Sequence, residues 1–331
     1  MLKNYGKALL RLGAPPTWTA SLVPMAIGYG AAFIYGGVVW GREAAFWIFV
    51  SIIAMIFIET GKHGVNELKD FFTGNDIAVD EDHMTPYSGG KKVLVSGLAS
   101  PEAVVAISAL CFMTAGLLGM VIVFFQSFHV LWFGLTGVAI SIFYSMPPFQ
   151  FVYRGLGELA VGVTYGPLIV YGAYTVFATG NWVILLAMSL HLSCLIVNVL
   201  VINEFPDYEA DLHVGKLNLL ARVGKSKGVL WHRGLFAASY LPIITLVIYT
   251  GHLVWLLSLL LIPMMWKSNR ACALFPDDIP RLMEANKLTI LIHLLGGIVL
   301  FIGMSIHNIS LLFGERGGKS FRTAVGCDGR Y

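Results

Sequence analysis

Two short acidic segments hold most of the residues in this chain that could do chemistry. Six of the 19 acidic residues lie between Glu67 and Asp82, and four between Glu204 and Asp211. Both segments open on the same five-residue pattern, Asn66-Glu67-x-x-Asp70 and Asn203-Glu204-x-x-Asp207, set 137 residues apart. On a helix, Glu59, His63, Asn66 and Asp70 fall at i, i+4, i+7 and i+11, so they share one face. In the second segment Pro206 suits a helix start, where no amide donor is needed, and Asp207 and Asp211 then lie one turn apart. Two such clusters converge if their helices pack side by side. Hard oxygen ligands in small number suit Mg²⁺, which combines a few carboxylates with substrate phosphates. The implied ligand is a diphosphate held through Mg²⁺. A lone acidic loop reads as a solvated connector, and the repeated spacing is what outweighs that reading here.

The elements that must position these residues are membrane helices. Of 331 residues 57% are hydrophobic, against 22 Lys and Arg and 19 Asp and Glu, and the mean hydropathy is +0.75. This excludes disorder and argues against an ordinary soluble enzyme. A net charge of +3 with no basic tract gives no sign of nucleic-acid binding. A bilayer span needs about 20 apolar residues. Apolar runs predict about nine transmembrane helices, near Trp18–Trp40, Ala44–Val65, Ala103–Phe125, Val130–Met146, Leu156–Ala178, Trp182–Ile202, Leu235–Tyr249, Leu253–Met265 and Leu288–Leu312. The seventh and eighth are short, so either their ends extend into polar flanks or the count of nine is wrong. The expected fold is therefore an all-α polytopic bundle, one domain over 1–331 with a weak internal duplication and a flexible tail over 314–331. With the N-terminus cytoplasmic, 17 of the 22 Lys and Arg fall on the cytoplasmic side, as the positive-inside rule requires. Both acidic segments, 66–82 and 203–216, then lie at the cytoplasmic mouth of a cell-membrane protein. The four cysteines are far apart and show neither metal nor redox spacing.

Other residues are candidates for supporting roles. Lys91, Lys92, Arg154 and Lys216 each lie in a cytoplasmic segment beside a motif and are candidates to contact diphosphate; ordinary positive-inside charge is the competing reading. Tyr144 and Tyr153 are candidates to line an acceptor or shield a cation through their ring faces, against simple interfacial anchoring. Glu59 with His63 reads either as a proton-handling pair or as a satisfied structural pair, since ionisable groups inside a span are functional candidates. His191, Asn198 and His293 read as interhelical hydrogen-bonding residues, with Asn198 close enough to the second motif to be a candidate for the acceptor pocket as well. Gly162 and Gly166 read as close helix packing, and Pro167 as a kink.

The same residues carry a family resemblance over nearly the whole chain. It resembles the UbiA-type integral membrane prenyltransferases, and within them the branch containing the 1,4-dihydroxy-2-naphthoate polyprenyltransferases of menaquinone synthesis. That branch shows N-D-x-x-D-x-x-x-G-x-D, matched here by Asn66, Glu67, Asp70, Gly74 and Asp76, with Glu67 departing from it. The second motif, Asn203, Asp207 and Asp211, is intact and is followed by Gly215-Lys216 and Ala221-Arg222-Val223-Gly224. Thr85-Pro86-Tyr87-Ser88-Gly89-Gly90, Tyr144-Ser145-x-Pro147-Pro148 and Tyr153-Arg154-Gly155-Leu156-Gly157-Glu158 are similar as well. The resemblance implies Mg²⁺-dependent transfer of a polyprenyl group from its diphosphate to an aromatic acceptor, dihydroxynaphthoate first among them. It implies Asp70, Asp76, Asp207 and Asp211 as metal residues, and Asn66 and Asn203 as diphosphate residues beside them. Another quinone-precursor or non-quinone acceptor is the alternative within this class. From another class, a secondary transporter would also show repeats and intramembrane acids, but would place them near the midplane. A CDP-alcohol phosphotransferase would show a D-G-x-x-A-R run, and there is none.

Overall fold

The computed structural model describes residues 2–78, 85 and 90–324, and every regular element among them is helical. An N-terminal helix α1 (Leu2–Gly13) bends by 56° across a short 3₁₀ turn into α2 (Thr19–Tyr35). Then follow α3 (Arg42–Thr73), α4 (Asn75–Ala78), α5 (Pro101–Phe125), α6 (His129–Phe143), α7 (Gly157–Val163), α8 (Ile169–Thr175) and α9 (Trp182–His213). The chain ends in α10 (Leu219–Val223), α11 (Lys225–Ala238), α12 (Tyr240–Thr250), α13 (Ile262–Leu274) and α14 (Ile279–Ala324). Among the described residues five helical stretches are long and apolar enough to cross a membrane, and a sixth is obtained if the bent pair α1 and α2 counts as one. The remaining expected runs fall on shorter or broken pieces. The seventh run is extended by the polar start of α11 into one stretch, Lys225–Thr250. The eighth is a 3₁₀ segment, Leu253–Leu261, continued by α13. Extension into a polar flank brings the seventh run to membrane length, whereas the eighth is not among the span-length helices of the described residues. Helix α14 runs to Ala324, into the expected flexible tail, and 325–331 lie outside the described residues.

Both motif-bearing helices run past their apolar stretches without a break. Helix α3 carries its polar stripe to Thr73 and stops at Gly74, whose φ of 80° is the left-handed C-cap that glycine adopts without strain. Helix α9 corrects one expectation, because Pro206 does not start a helix but sits inside it. Proline in a membrane helix is tolerated where neighbouring groups take up the freed carbonyl, and the continuous helix keeps Asp207 and Asp211 one turn apart. Around these two helices the core falls into clusters. One joins α2, α8, α9, α12 and α14 through Ile27, Tyr174, Leu192, Leu246 and Leu300, and another joins α2, α3, α5 and α8 through Met25, Trp47, Ile122 and Ala173.

The fifth expected span is broken by a π-helical turn, Thr164–Leu168, containing Pro167. Gly166 there packs directly on α9: a Cβ would stand 1.9 Å from Ser193 Oγ and 2.8 Å from the carbonyl oxygen of Ser189. Gly162 is nearly as close, 3.0 Å from Val197. The small-residue pair is thus a packing device. Because a backbone oxygen cannot move aside, Gly166→Ala should destabilise the protein by about 1–3 kcal/mol, as overpacking does, read as a lowered Tm in detergent.

Candidate active site

The turns of α3 that face inward, from Ser51 through Met55, Glu59 and Asn66 to Asp70, all line one cavity of about 740 Å³. At 1.5 Å per residue that stretch is about 28 Å long, close to the thickness of a hydrocarbon core. The cavity is polar at the motif end and apolar beyond. Its volume lies within the range of small-molecule sites.

At the polar end the two motifs meet. Lys216, on the loop after α9, places Nζ 3.3 Å from Asp211 Oδ1 and 3.9 Å from Asp70 Oδ1, so one ammonium bridges both halves of the chain. Burial alone would lower the Lys216 pKa, but the carboxylates of Asp70, Asp211 and Asp207 outweigh it and hold the group well above the ordinary lysine range. Asn66 donates to Asp70 at 2.6 Å and accepts from Ser145 at 2.6 Å. Asp211 accepts from Asn75 at 3.1 Å and from Asn218 at 2.7 Å. Asn203 accepts from Asn286 of α14 at 2.6 Å. Asp207 lines the same cavity one turn before Asp211.

Asp76 is 2% exposed and lies against Gly90, where a Cβ would stand 2.0 Å from its carboxylate. Burial, reinforced by the nearby charges of Asp70 and Glu67, pushes the Asp76 pKa up to about 8, against the pull of Lys216 and Lys92. Asp76 Oδ2, Asp70 Oδ1 and Asn75 Oδ1 are buried and have no hydrogen-bond donor among the described residues. Such oxygens need a partner. Among the described residues no three Asp, Glu, His or Cys side chains gather closely enough to hold a metal ion alone. Hard oxygens left open, but short of a full protein cage, fit a Mg²⁺ ion that shares its ligands with a phosphate.

The second residue of each motif also touches the cavity but commits part of its carboxylate to a neighbouring loop. Glu67 Oε1 accepts the Leu94 amide at 2.8 Å and so pins the loop that carries Lys91. The Leu220 amide hydrogen-bonds Glu204, and the neighbouring Glu158 accepts the Leu219 amide at 2.7 Å, so the loop after the second motif is pinned the same way. The departure of Glu67 from the usual Asp therefore falls on a loop anchor.

Eleven of the sequence candidates reach the cavity wall. They are Asn66, Asp70, Asp76, Asn203, Asp207, Asp211 and Lys216 at its mouth, and Lys91, Tyr144, Glu59 and His63 further along. Four do not. Arg154 is exposed and donates to the Pro148 carbonyl at 3.0 Å. The Tyr153 ring lies under Lys69 Nζ at 4.9 Å, and Lys92, beside Asp76, does not line the cavity. Asn198 is fully buried against the His232 carbonyl at 3.0 Å, which is the interhelical reading and corrects its assignment to an acceptor pocket. Asp80, Glu81, Asp82 and the Pro86–Gly89 part of the third motif lie outside the described residues.

Deeper in, Glu59 and His63 are only loosely paired, at 4.0 Å, and His63 Nδ1 instead lies 2.9 Å from the Leu12 carbonyl. The close partner of Glu59 is Lys62, at 2.5 Å. Glu59 also accepts from Ser21 at 2.7 Å and from Tyr165 at 2.8 Å, and Lys62 hydrogen-bonds Tyr165 as well. Lys62, Tyr165, Asn75, Asn218 and Asn286 are site residues that sequence reasoning passed over. Asn286 had a signal, since Asn286, Thr289 and His293 form a polar stripe at helical spacing on an apolar helix. Lys62 was masked by the positive-inside pattern.

Beyond this cluster the wall is apolar and includes paired glycines, Gly116 and Gly119 on α5 and Gly134 and Gly137 on α6. No atom lies within 4 Å of a Cβ built at Gly116, Gly119 or Gly134. These glycines leave a slot rather than bringing the helices together. Met120 and Leu135 line the cavity while staying 41% and 56% exposed, so the slot opens sideways at the bundle surface.

Comparison with known proteins agrees with this architecture. A family model described as the UbiA prenyltransferase family matches residues 21–277. The chain is 27% identical over 227 residues to a 1,4-dihydroxy-2-naphthoate octaprenyltransferase of Mycobacterium tuberculosis, covering 68% of this chain and 73% of the relative. It is 25% identical over 255 residues to the enzyme of that name from Bacillus subtilis, covering 77% and 78%. Its fold is similar to that of a UbiA homologue from Archaeoglobus fulgidus solved with GPP and Mg²⁺, with a TM-score of 0.58 and 15% identity over 89% of this chain and 99% of the other. Matched over most of its length by the family model, the chain belongs to the UbiA prenyltransferase family and is a polytopic membrane enzyme of that family.

Proposed function

We propose that this enzyme transfers a polyprenyl group from polyprenyl diphosphate to 1,4-dihydroxy-2-naphthoate, releasing diphosphate and CO₂, as a step of menaquinone synthesis. The observation that carries the reading is that Asp70 and Asp211, from separate motifs, meet at Lys216 at the mouth of a slot lined by apolar residues and glycines. A charged head and a long apolar tail on one molecule match that division. The names of the bacterial relatives support the acceptor. The motif end faces the cytoplasm, in keeping with the distribution of Lys and Arg.

Asp70, Asp76, Asp207 and Asp211 would hold Mg²⁺ together with the diphosphate. Bound there, Mg²⁺ supplies neutralisation of the charge that builds on the leaving diphosphate. Lys216 shares that work as a fixed positive charge, already placed by the carboxylates around it. Asn66 and Asn203 are held by Ser145 and Asn286 and orient the diphosphate oxygens. The allylic C–O bond breaks with its electron pair going to diphosphate, the acceptor ring supplies the pair for the new C–C bond, and the bond to the carboxylate then breaks, its pair restoring the aromatic ring as CO₂ leaves. Tyr144, on the cavity wall, would flank the reacting carbon, and the apolar surroundings would keep water from the cation. Glu59 and His63 line the acceptor chamber.

The test uses purified full-length protein with Mg²⁺, one polyprenyl diphosphate and a panel of aromatic acids, following diphosphate release and product mass. The expected product is the prenylated, decarboxylated naphthalenediol. Absence of diphosphate release with every acceptor, from protein shown to be folded, would overturn the proposal. Release only with another acceptor would replace dihydroxynaphthoate by that compound.

A further inference from the structure

The Lys62, Glu59 and Tyr165 cluster lies one to two helical turns deeper than Asn66 and is not needed to seat the diphosphate. Lys62 is four residues before Asn66 and four after Ile58, all three on the cavity wall, so it stands between the charged mouth and the apolar slot. An aromatic acceptor that attacks the carbon next to diphosphate has to occupy this level. An ammonium here has a cost, because a charge drawn out of water needs close partners. Glu59 supplies one, and Glu59 is itself fixed through Oε1 by Ser21 and Tyr165.

Lys62 is nevertheless not fully used. An ammonium has three N–H donors. Glu59 Oε2 and the Tyr165 hydroxyl take two. The third has no acceptor among the described residues, and 21% of the side chain remains open. A second ammonium, Lys91, lines the same cavity. Burial and the nearby Lys62 charge lower its pKa below the ordinary lysine range, although Glu67 and Glu59 work the other way. Glu59 balances only one of these two charges, so an anion entering beside them is favoured in a cavity of low dielectric.

We infer that Lys62, with Lys91 beside it, receives the carboxylate of the acceptor and makes the enzyme selective for acidic aromatic rings. The inference rests on the acceptor class proposed above and deepens it. Lys62 binds the acceptor through its third N–H, while Glu59 and Tyr165 are positioning residues that fix the ammonium. Neutral rings of the same shape lose this contact and leave the third N–H of Lys62 without an acceptor.

The experiment measures equilibrium binding of 1,4-dihydroxy-2-naphthoate and of its 2-carboxamide to the purified full chain, for wild type, Lys62→Met and Lys62→Arg. A charge-assisted hydrogen bond is worth about tenfold to a hundredfold in affinity. Wild type should prefer the acid by at least about tenfold. Lys62→Met should weaken the acid by about thirtyfold and the carboxamide by less than about threefold, and Lys62→Arg should restore most of the acid affinity. In turnover, KM for the acid should rise while KM for the polyprenyl diphosphate stays fixed. Equal losses for acid and amide, no preference in wild type, or a loss of polyprenyl diphosphate affinity would each overturn the inference. If Lys62→Met fails to fold because Glu59 is left unpaired, the double variant Glu59→Gln with Lys62→Met carries the same comparison. Binding is read without turnover, so a wild type that binds the acid selectively but releases no diphosphate would refute the reaction and not the anchor.

Discussion

Asp70→Ala and Asp207→Ala, each made alone, should reduce diphosphate release by about a hundredfold to a thousandfold, the range seen when one preorganised electrostatic contact to a transition state is removed. Asp70 is the better understood of the two. It holds Asn66 at 2.6 Å and faces Lys216 at 3.9 Å, and its Oδ1 has no hydrogen-bond donor among the described residues. Its removal takes away a hard oxygen for Mg²⁺ and loosens both the Asn66 amide and the bridge between the motifs. Asp207 adds to the field that keeps Lys216 charged. Both variants should still insert and keep an unchanged elution profile in detergent, because Lys216 retains Asp211 at 3.3 Å. Full activity in either variant would move the metal site elsewhere.

The second large effect depends on chain length. Gly119→Trp should leave geranyl diphosphate turnover within about threefold of wild type and lower octaprenyl transfer by about thirtyfold or more. A Cβ at Gly119 meets no protein atom within 4 Å, so an added side chain enters the slot instead of displacing a neighbour. Glycine inside a helix costs about 1 kcal/mol relative to alanine, and four at facing positions on α5 and α6 are kept against that cost. A short prenyl chain does not reach so far from the motif end, and a long one does. Steady-state rates with the two diphosphates check it, and an equal loss with both would mean that the substitution had distorted the site as a whole.

Periodicity and spacing made much of this legible in advance. Apolar runs located the long helices, though not the expected nine spans, and the repeated Asn-Glu-x-x-Asp pattern located the two segments that meet at Lys216, because i, i+4 and i+7 positions share a face whatever the tertiary fold. What stayed hidden depends on which helices become neighbours. Asn286 and Asn203 are 83 residues apart, and only the packing of α14 on α9 joins them. Lys62 read as membrane-boundary charge until Tyr165, turned inward by a π-helical turn, was seen to meet it. Pro206 misled because its rule for the first helical turn is a rule about soluble helices, whereas this membrane helix runs straight through it. Arg154 and Tyr153 lie in a loop at the motif end, yet the Arg154 side chain turns out to the exposed Pro148 carbonyl and the Tyr153 ring packs under Lys69.

The sideways opening between α5 and α6 has a kinetic consequence. A substrate that enters through that opening comes from the bilayer, so its effective concentration is a mole fraction among lipids and not an amount per volume of buffer. Adding detergent or empty lipid at constant total substrate dilutes it in two dimensions and lowers the rate. The aromatic acid, if it arrives at the mouth from water, escapes that dilution. The two substrates of one reaction would then obey different concentration scales, and a KM quoted for the prenyl donor has meaning only beside the composition of the membrane in which it was measured.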